Sequence, residues 1–514
     1  MMQKADTNPI LKMDFPDPDV IRVADTYYMV STTMHFMPGC VILRSYDLIN
    51  WEIAGHIFDT LDSTPGQRLQ DHKGVYGKGM WAASIRYHNN LFYVCFVAND
   101  TGKTYLFTSA RVDGQWKKQM VDGFYHDCSL LFDDDESVYI VYGNASIHLT
   151  ELDAQLQGPK KGGVDRIILS EKDNYILGYE GSHFYKINSK YYLFLIHSPG
   201  ETWFRREACF VSDSIDGEFV GRDVLSDDLN YCNQGVAQGG IVDTPDGTWY
   251  GVLFQDRGAV GRIPVLVPVK WENDFPVFGV DGKAPMNIQT KSTRSEYEYQ
   301  PLYASDDFHY TPDTKGNVHL KEVWEFNHEP SPELWSISDE HGAFCIQSGR
   351  ICNGLEEAVN TLTQRTLFPN CAAEVTVNGK ELKVGDYAGI CALQGCYGFA
   401  ALKKEVDGMY LVMVSKSDEN EGGVECENAR VQIFTESVRL RVSVDYENMR
   451  DEAEFFYETE AGWKKIGVTH KLYFKLDHFC GCRFGLFMYS TMMSGGTAEF
   501  QNFSYLPFKG DQEE

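Results

Sequence analysis

Apolar and aromatic residues gather into five short runs in the first half of the chain: Tyr27-Tyr28-Met29-Val30, Phe92-Tyr93-Val94, Val138-Tyr139-Ile140-Val141, Tyr191-Tyr192-Leu193-Phe194 and Trp249-Tyr250-Gly251-Val252. Each follows a stretch that pairs a small residue with apolar ones: Asp17-Pro18-Asp19-Val20, Ala82-Ala83-Ser84-Ile85, Asp127-Cys128-Ser129-Leu130, Glu180-Gly181-Ser182-His183-Phe184 and Gln238-Gly239-Gly240-Ile241. Aligned at 17, 82, 127, 180 and 238, the copies lie 65, 45, 53 and 58 residues apart, the length of a four-stranded propeller blade with variable loops. A second landmark, a Ser, a polar turn and an aromatic, recurs at Ser45 to Trp51, Ser109 to Trp116 and Ser212 to Phe219, with a weaker copy at Thr150 to Asp153. The pattern predicts an all-β protein whose residues 1–282 form a five-bladed β-propeller.

The pattern then changes. Residues 283–322 carry Pro285, Pro301 and Pro312 and no sustained period, which predicts a linker lying on the propeller. Val438 to Val444 alternates at period two, and Asn353-Gly354 and Asn378-Gly379 supply turns between short strands. Residues 323–510 are therefore expected to form a concanavalin-like β-sandwich, with a frayed acidic tail from Gly510 to Glu514.

Composition narrows the function. Lys plus Arg is 46 against 74 Asp plus Glu, a formal charge of −28, the wrong sign for gripping nucleic acid or an anionic bilayer. A neutral small-molecule substrate fits better, and a homo-oligomer is compatible with it. No run approaches the roughly 18 apolar residues of a membrane span, and Met1 to Asn8 lacks a secretion signal, so a cytoplasmic protein is expected. The 13 cysteines include no CxxC pair, and Cys480-Gly481-Cys482 is too tight for the usual zinc spacing; they read as reduced thiols buried in strands.

In a propeller, equivalent inner-strand positions converge on the axis, so Asp17, Asp127 and Glu180 should meet in one central pocket. Alone, each is a turn acid or a strand cap. Together they suit glycoside hydrolysis with inversion, in which a carboxylate deprotonates water on one sugar face and a carboxylic acid protonates the leaving oxygen on the other, the two about 6.5 to 9.5 Å apart. Glu180 as acid needs a neighbouring charge or burial to stay protonated, and Asp127 supplies the charge. Phe36 and Trp81, beside the repeat positions, are candidate walls for a sugar ring.

These stretches resemble glycoside hydrolase family 43. Asn8-Pro9-Ile10-Leu11 leading into Asp14-Phe15-Pro16-Asp17-Pro18, the stretches at Asp127 and Glu180, Gly239 to Gly247 and Gly258 to Arg262 are similar to the propeller of its β-xylosidase and α-L-arabinofuranosidase members, and Asn360 to Thr366 with Tyr397-Gly398-Phe399 to its accessory domain. The resemblance implies Asp17 as general base, Glu180 as general acid and Asp127 as modulator of the acid, with Arg262 on sugar hydroxyls; Gln238 and His183 are further candidate sugar contacts, His183 set against a role in packing or hydrogen bonding within its own blade. It implies an exo-acting, inverting enzyme releasing β-D-xylose or α-L-arabinofuranose from xylan-derived oligosaccharides, its pocket narrowed by the sandwich, for which Ser490 to Ser494 is the candidate loop. No cofactor is required. Many members carry a His at Gln238, in some close to a calcium; Gln is a poor replacement ligand, so no metal is expected. The rival readings are a noncatalytic carbohydrate-binding propeller and an endo-acting arabinanase with an open groove.

Overall fold

The repeats fold as five four-stranded antiparallel sheets. A computed structural model of the chain describes residues 8–172, 174–417 and 423–507, so the predicted tail lies outside the described residues. The innermost strands are Asp19–Val23, Met80–His88, Ser129–Phe132, Tyr175–Ile187 and Ala237–Asp243, and each pairs with one of the aromatic runs. Those runs are apolar throughout because neighbouring blades cover both faces of each sheet. Tyr27 and Met29 pack with Val242 and Tyr250 of the fifth blade, while Val30 packs with Ile85 and Val94 of the second. Among the described residues helical structure is confined to short 3-10 turns, and no helix is long and apolar enough to cross a membrane.

A buried polar hub ties the inner strands together. Arg86 donates to Asp19 Oδ2 at 2.7 Å, to Ser129 Oγ at 2.7 Å and to the Leu130 carbonyl at 2.7 Å, and His183 Nδ1 lies 3.0 Å from Asp19 Oδ1. Burial pushes the Asp19 carboxyl up, but Arg86 and then His183 outweigh it and hold it near 2. The amino-terminal stretch closes the ring: Asn8 bonds both backbone groups of Leu266, and Phe15 N–H donates to the Arg262 carbonyl, joining blade one to blade five.

From Lys283 the chain crosses blade one, with Thr293 N–H on the Tyr46 carbonyl at 2.8 Å and Arg294 on Asp25 at 2.8 Å, then pairs Asp306 with Phe503 at the sandwich. The two sandwich sheets enclose a core that includes Val375, Ile390, Leu440 and Leu486. One of these sheets takes its edge strand, Phe36–Met37, from the propeller, paired with Glu325–Asn327. Behind that junction Glu325 is fully buried and salt-bridged to Arg365 at 2.8 Å, Arg483 at 2.5 Å and His56 at 3.2 Å.

Phe36 is thereby corrected. It is 1% exposed and lies under the Arg483 guanidinium, 3.5 Å from ring centroid to Cζ, inside the domain junction rather than at a sugar. An aromatic beside a repeat position has the same sequence pattern whether it faces a pocket or a second domain. The Ser490 to Ser494 loop is corrected too: Ser490 Oγ donates to the Met493 carbonyl and Thr491 bonds Gly385, so the loop folds back on its own sandwich.

Candidate active site

The same backbone device presents the site residues. Asp17, Asp127 and Gln238 sit in the left-handed region at φ 52°, 48° and 57°, and Gly181, next to Glu180, at 65°. The ladder slips register between Met80 and Ala83, Glu180 and His183, and Ala237 and Gly239. A bulge turns a side chain out of the pleat, and left-handed backbone costs a non-glycine residue about 1 to 2 kcal/mol. Such strain clusters where a side chain must be aimed. Glycine is required at 181, because a Cβ there would lie 2.7 Å from the Gln238 side chain.

On one side of the pocket, Asp17 is 5% exposed and accepts from Thr32 Oγ1 at 2.7 Å and from Arg262 Nη1 at 2.6 Å, one donor on each oxygen. Both contacts suit a carboxylate acting as acceptor. Arg262 is buried, its Nε has no partner among the described residues, and its Cζ lies 4.3 Å from the centroid of Phe479, a sandwich residue. Asp14 fixes this junction, accepting from Arg262 N–H and from Gly481 N–H, both at 2.7 Å.

On the other side, His126 Nε2 is 3.7 Å from Asp127 Oδ2 and 3.7 Å from Glu180 Oε2, and one polar side-chain atom from each of the three residues lies within 4.8 Å of the others. Asn144 Nδ2 donates to Glu180 Oε2. Burial pushes the Asp127 carboxyl up to about 7, with Glu180 and Asp17 adding to the rise and His126 opposing it. Asp127 in turn raises the His126 imidazolium to about 9, against burial and with Glu180 assisting. Asp127 therefore holds its proton to higher pH than an exposed carboxyl does, beside Glu180.

Trp81 links the halves: its ring is 5.7 Å from His126 and 5.7 Å from Phe479, and its buried Nε1 has no partner among the described residues. The structure thus brings Asp17, Asp127, Glu180, Trp81 and Arg262 together. His183 is turned into the hub by Asp19. The Gln238 side chain packs on Gly181, and its backbone N–H donates to Glu207 at 2.7 Å. Burial pushes that Glu207 carboxyl well up toward its neutral form. Sequence reasoning missed Thr32, His126, Asn144 and Phe479. His126 was marked by its place next to Asp127; Phe479 carried no signal, lying in a loop without period.

A ring of β-sheets with paired carboxyls at its mouth, buttressed by a concanavalin-like sandwich, defines a glycosidase of the propeller class. Residues 6–276 match glycosyl hydrolases family 43 and residues 316–506 match the beta xylosidase C-terminal concanavalin A-like domain. The chain belongs to glycosyl hydrolases family 43. It is 25% identical to a beta-xylosidase of Formosa agariphila over 97% of this chain and 90% of that one. It is 26% identical to a non-reducing end alpha-L-arabinofuranosidase of Bacteroides ovatus, over 74% and 72%. A solved bifunctional GH43-CE protein of Bacteroides eggerthii superposes with TM-score 0.90 at 40% identity; the match covers 98% of this chain, which spans 64% of that longer one.

Proposed function

We propose that this glycosidase removes single β-D-xylosyl or α-L-arabinofuranosyl units from non-reducing ends of xylan-derived oligosaccharides, with inversion. The observation that carries the reading is the grouping of the carboxyls: Asp17 held by donors on both oxygens, and Asp127 and Glu180 brought together around His126. Asp17 takes a proton from the attacking water, Glu180 protonates the leaving oxygen, and Asp127 keeps Glu180 from ionising early. Exo action is supported by Phe479, which the sandwich sets against Arg262 and Trp81. The choice of pentoses is supported by the xylosidase and arabinofuranosidase relatives. No cofactor enters this scheme, because side chains carry both proton transfers. We also propose a cytoplasmic setting, which the thirteen cysteines, free of disulfides and ten of them buried, support.

The test pairs Glu180→Gln with two kinds of substrate. Aryl glycosides with good leaving groups should keep most of their turnover, while xylobiose or an alkyl arabinofuranoside should lose it. Equal loss on both would remove Glu180 as the acid. Proton NMR of the first-formed sugar should show the inverted anomer; the retained anomer would overturn the mechanism.

A further inference from the structure

Besides Asp17, Asp127 and Glu180, one more ionisable ring stands at the reacting end of the pocket. His126 is about one quarter exposed at its side chain, and its backbone carbonyl is fixed by Gly143 N–H at 2.9 Å. Its ring nitrogen is equidistant from one oxygen of Asp127 and one of Glu180, and Trp81 backs the ring. The groups facing it are Asp127 from its own stretch, Glu180 from the fourth inner strand, the neutral amide of Asn144 from the second strand of blade three, and the Cys128 thiol, which its hydrogen bond to the Cys95 sulfur and its burial keep protonated. From across the pocket Asp17 and Arg262 act on Asp127 with opposite signs.

We infer that His126 is a positioning residue of the general-acid pair: its ring, bridging Asp127 and Glu180, orients both carboxyls and sets the alkaline limit of activity. This rests on the acid assignment above. The physical basis is electrostatic. A positive charge about 4 Å from both oxygens favours the doubly ionised pair and so draws the proton off at lower pH than the carboxyls alone would allow. The cation also gives Glu180 Oε2 a second polar neighbour beside Asn144, which leaves Oε1 for the leaving oxygen.

The experiment is the pH profile of kcat/KM on an alkyl glycoside of whichever pentose is released, for the unsubstituted enzyme, His126→Phe, His126→Gln and His126→Lys. The alkaline limb of that profile reports the acid of the free enzyme. Removing the cation should move the limb upward by about one pH unit in the Phe and Gln variants, and Lys should restore it. A limb that stays put or moves down in a folded neutral variant, or that moves alike in that variant and in Lys, would overturn the inference. Folding of any one neutral variant suffices for the reading. Glu180→Gln on the aryl and alkyl pair reports separately on the acid assignment, whatever the limb does.

Discussion

At the scale of single residues, the site is bought with stability. Asp127 is buried with its carboxyl near 7 instead of the ordinary 3.8, so between those values the folded chain holds a proton that the unfolded chain has lost. Stability therefore falls as pH rises from about 4 to 7, and the whole penalty is present above 7. Asp127→Asn keeps the shape and removes the charge. Its melting temperature at pH 8 should exceed that of the unsubstituted enzyme by a few degrees, while kcat on alkyl glycosides drops by about 100-fold or more. Calorimetry and steady-state kinetics on the same preparation check both halves; a less stable variant would mean that the carboxylate is better solvated than its burial implies. Asp19 is the control within the same hub, because Arg86 and His183 hold it near 2 and it stays ionised throughout this range.

At the scale of elements, the blades were legible and the pocket wall was not. The inner strand of every blade meets the same surroundings, two neighbouring sheets and the axis, so selection for packing wrote five similar stretches, and three acids among five equivalent positions marked the reacting end. Phe36 misled because the propeller lends that strand to the sandwich. Phe479 was invisible because its position depends on contacts between distant parts of the chain: Asp14 holds Gly481, and a Cβ on Gly481 would lie 2.1 Å from the Val260 carbonyl oxygen. Gly481, between Cys480 and Cys482, is the trace of that close approach in the sequence. Phe479→Ala removes the face that packs on Arg262 and Trp81 without unpinning the loop. It should raise KM about tenfold, the equivalent of about 1.4 kcal/mol of lost ring contact, with kcat less affected and the melting temperature nearly unchanged. A fall in kcat with KM constant would instead make Phe479 an orienting group for Arg262 and Asp17.

At the scale of the whole molecule, two buried polar clusters hold sandwich to propeller, and they respond differently to acid. Burial pulls the Glu325 carboxyl up, but Arg365 and Arg483 hold it well below the ordinary range, so that cluster keeps its charges in mild acid. The other is a cluster of three histidines around Tyr76. His35 of the propeller lies 4.8 Å from His328 and 5.8 Å from His478 of the sandwich, ring centre to ring centre, and both ring nitrogens of His35 and of His478 have no partner among the described residues. Burial depresses all three, His478 to about 4. A depressed imidazole is neutral when folded and takes up a proton when unfolded, so its share of stability is complete above about 6.5 and is lost as pH falls toward 4. His478 alone should contribute about 2 kcal/mol of destabilisation between pH 7 and 5. Because Phe479 is the next residue, loosening this junction opens the pocket wall as well. Melting temperatures measured from pH 7.5 to 5 should fall as the three histidines together outweigh the opposing Asp127 term, and His478→Phe, which cannot charge, should flatten that fall. An unchanged slope would take the acid sensitivity away from His478 and leave His35 and His328, which also pack on Tyr76, as the groups to replace next.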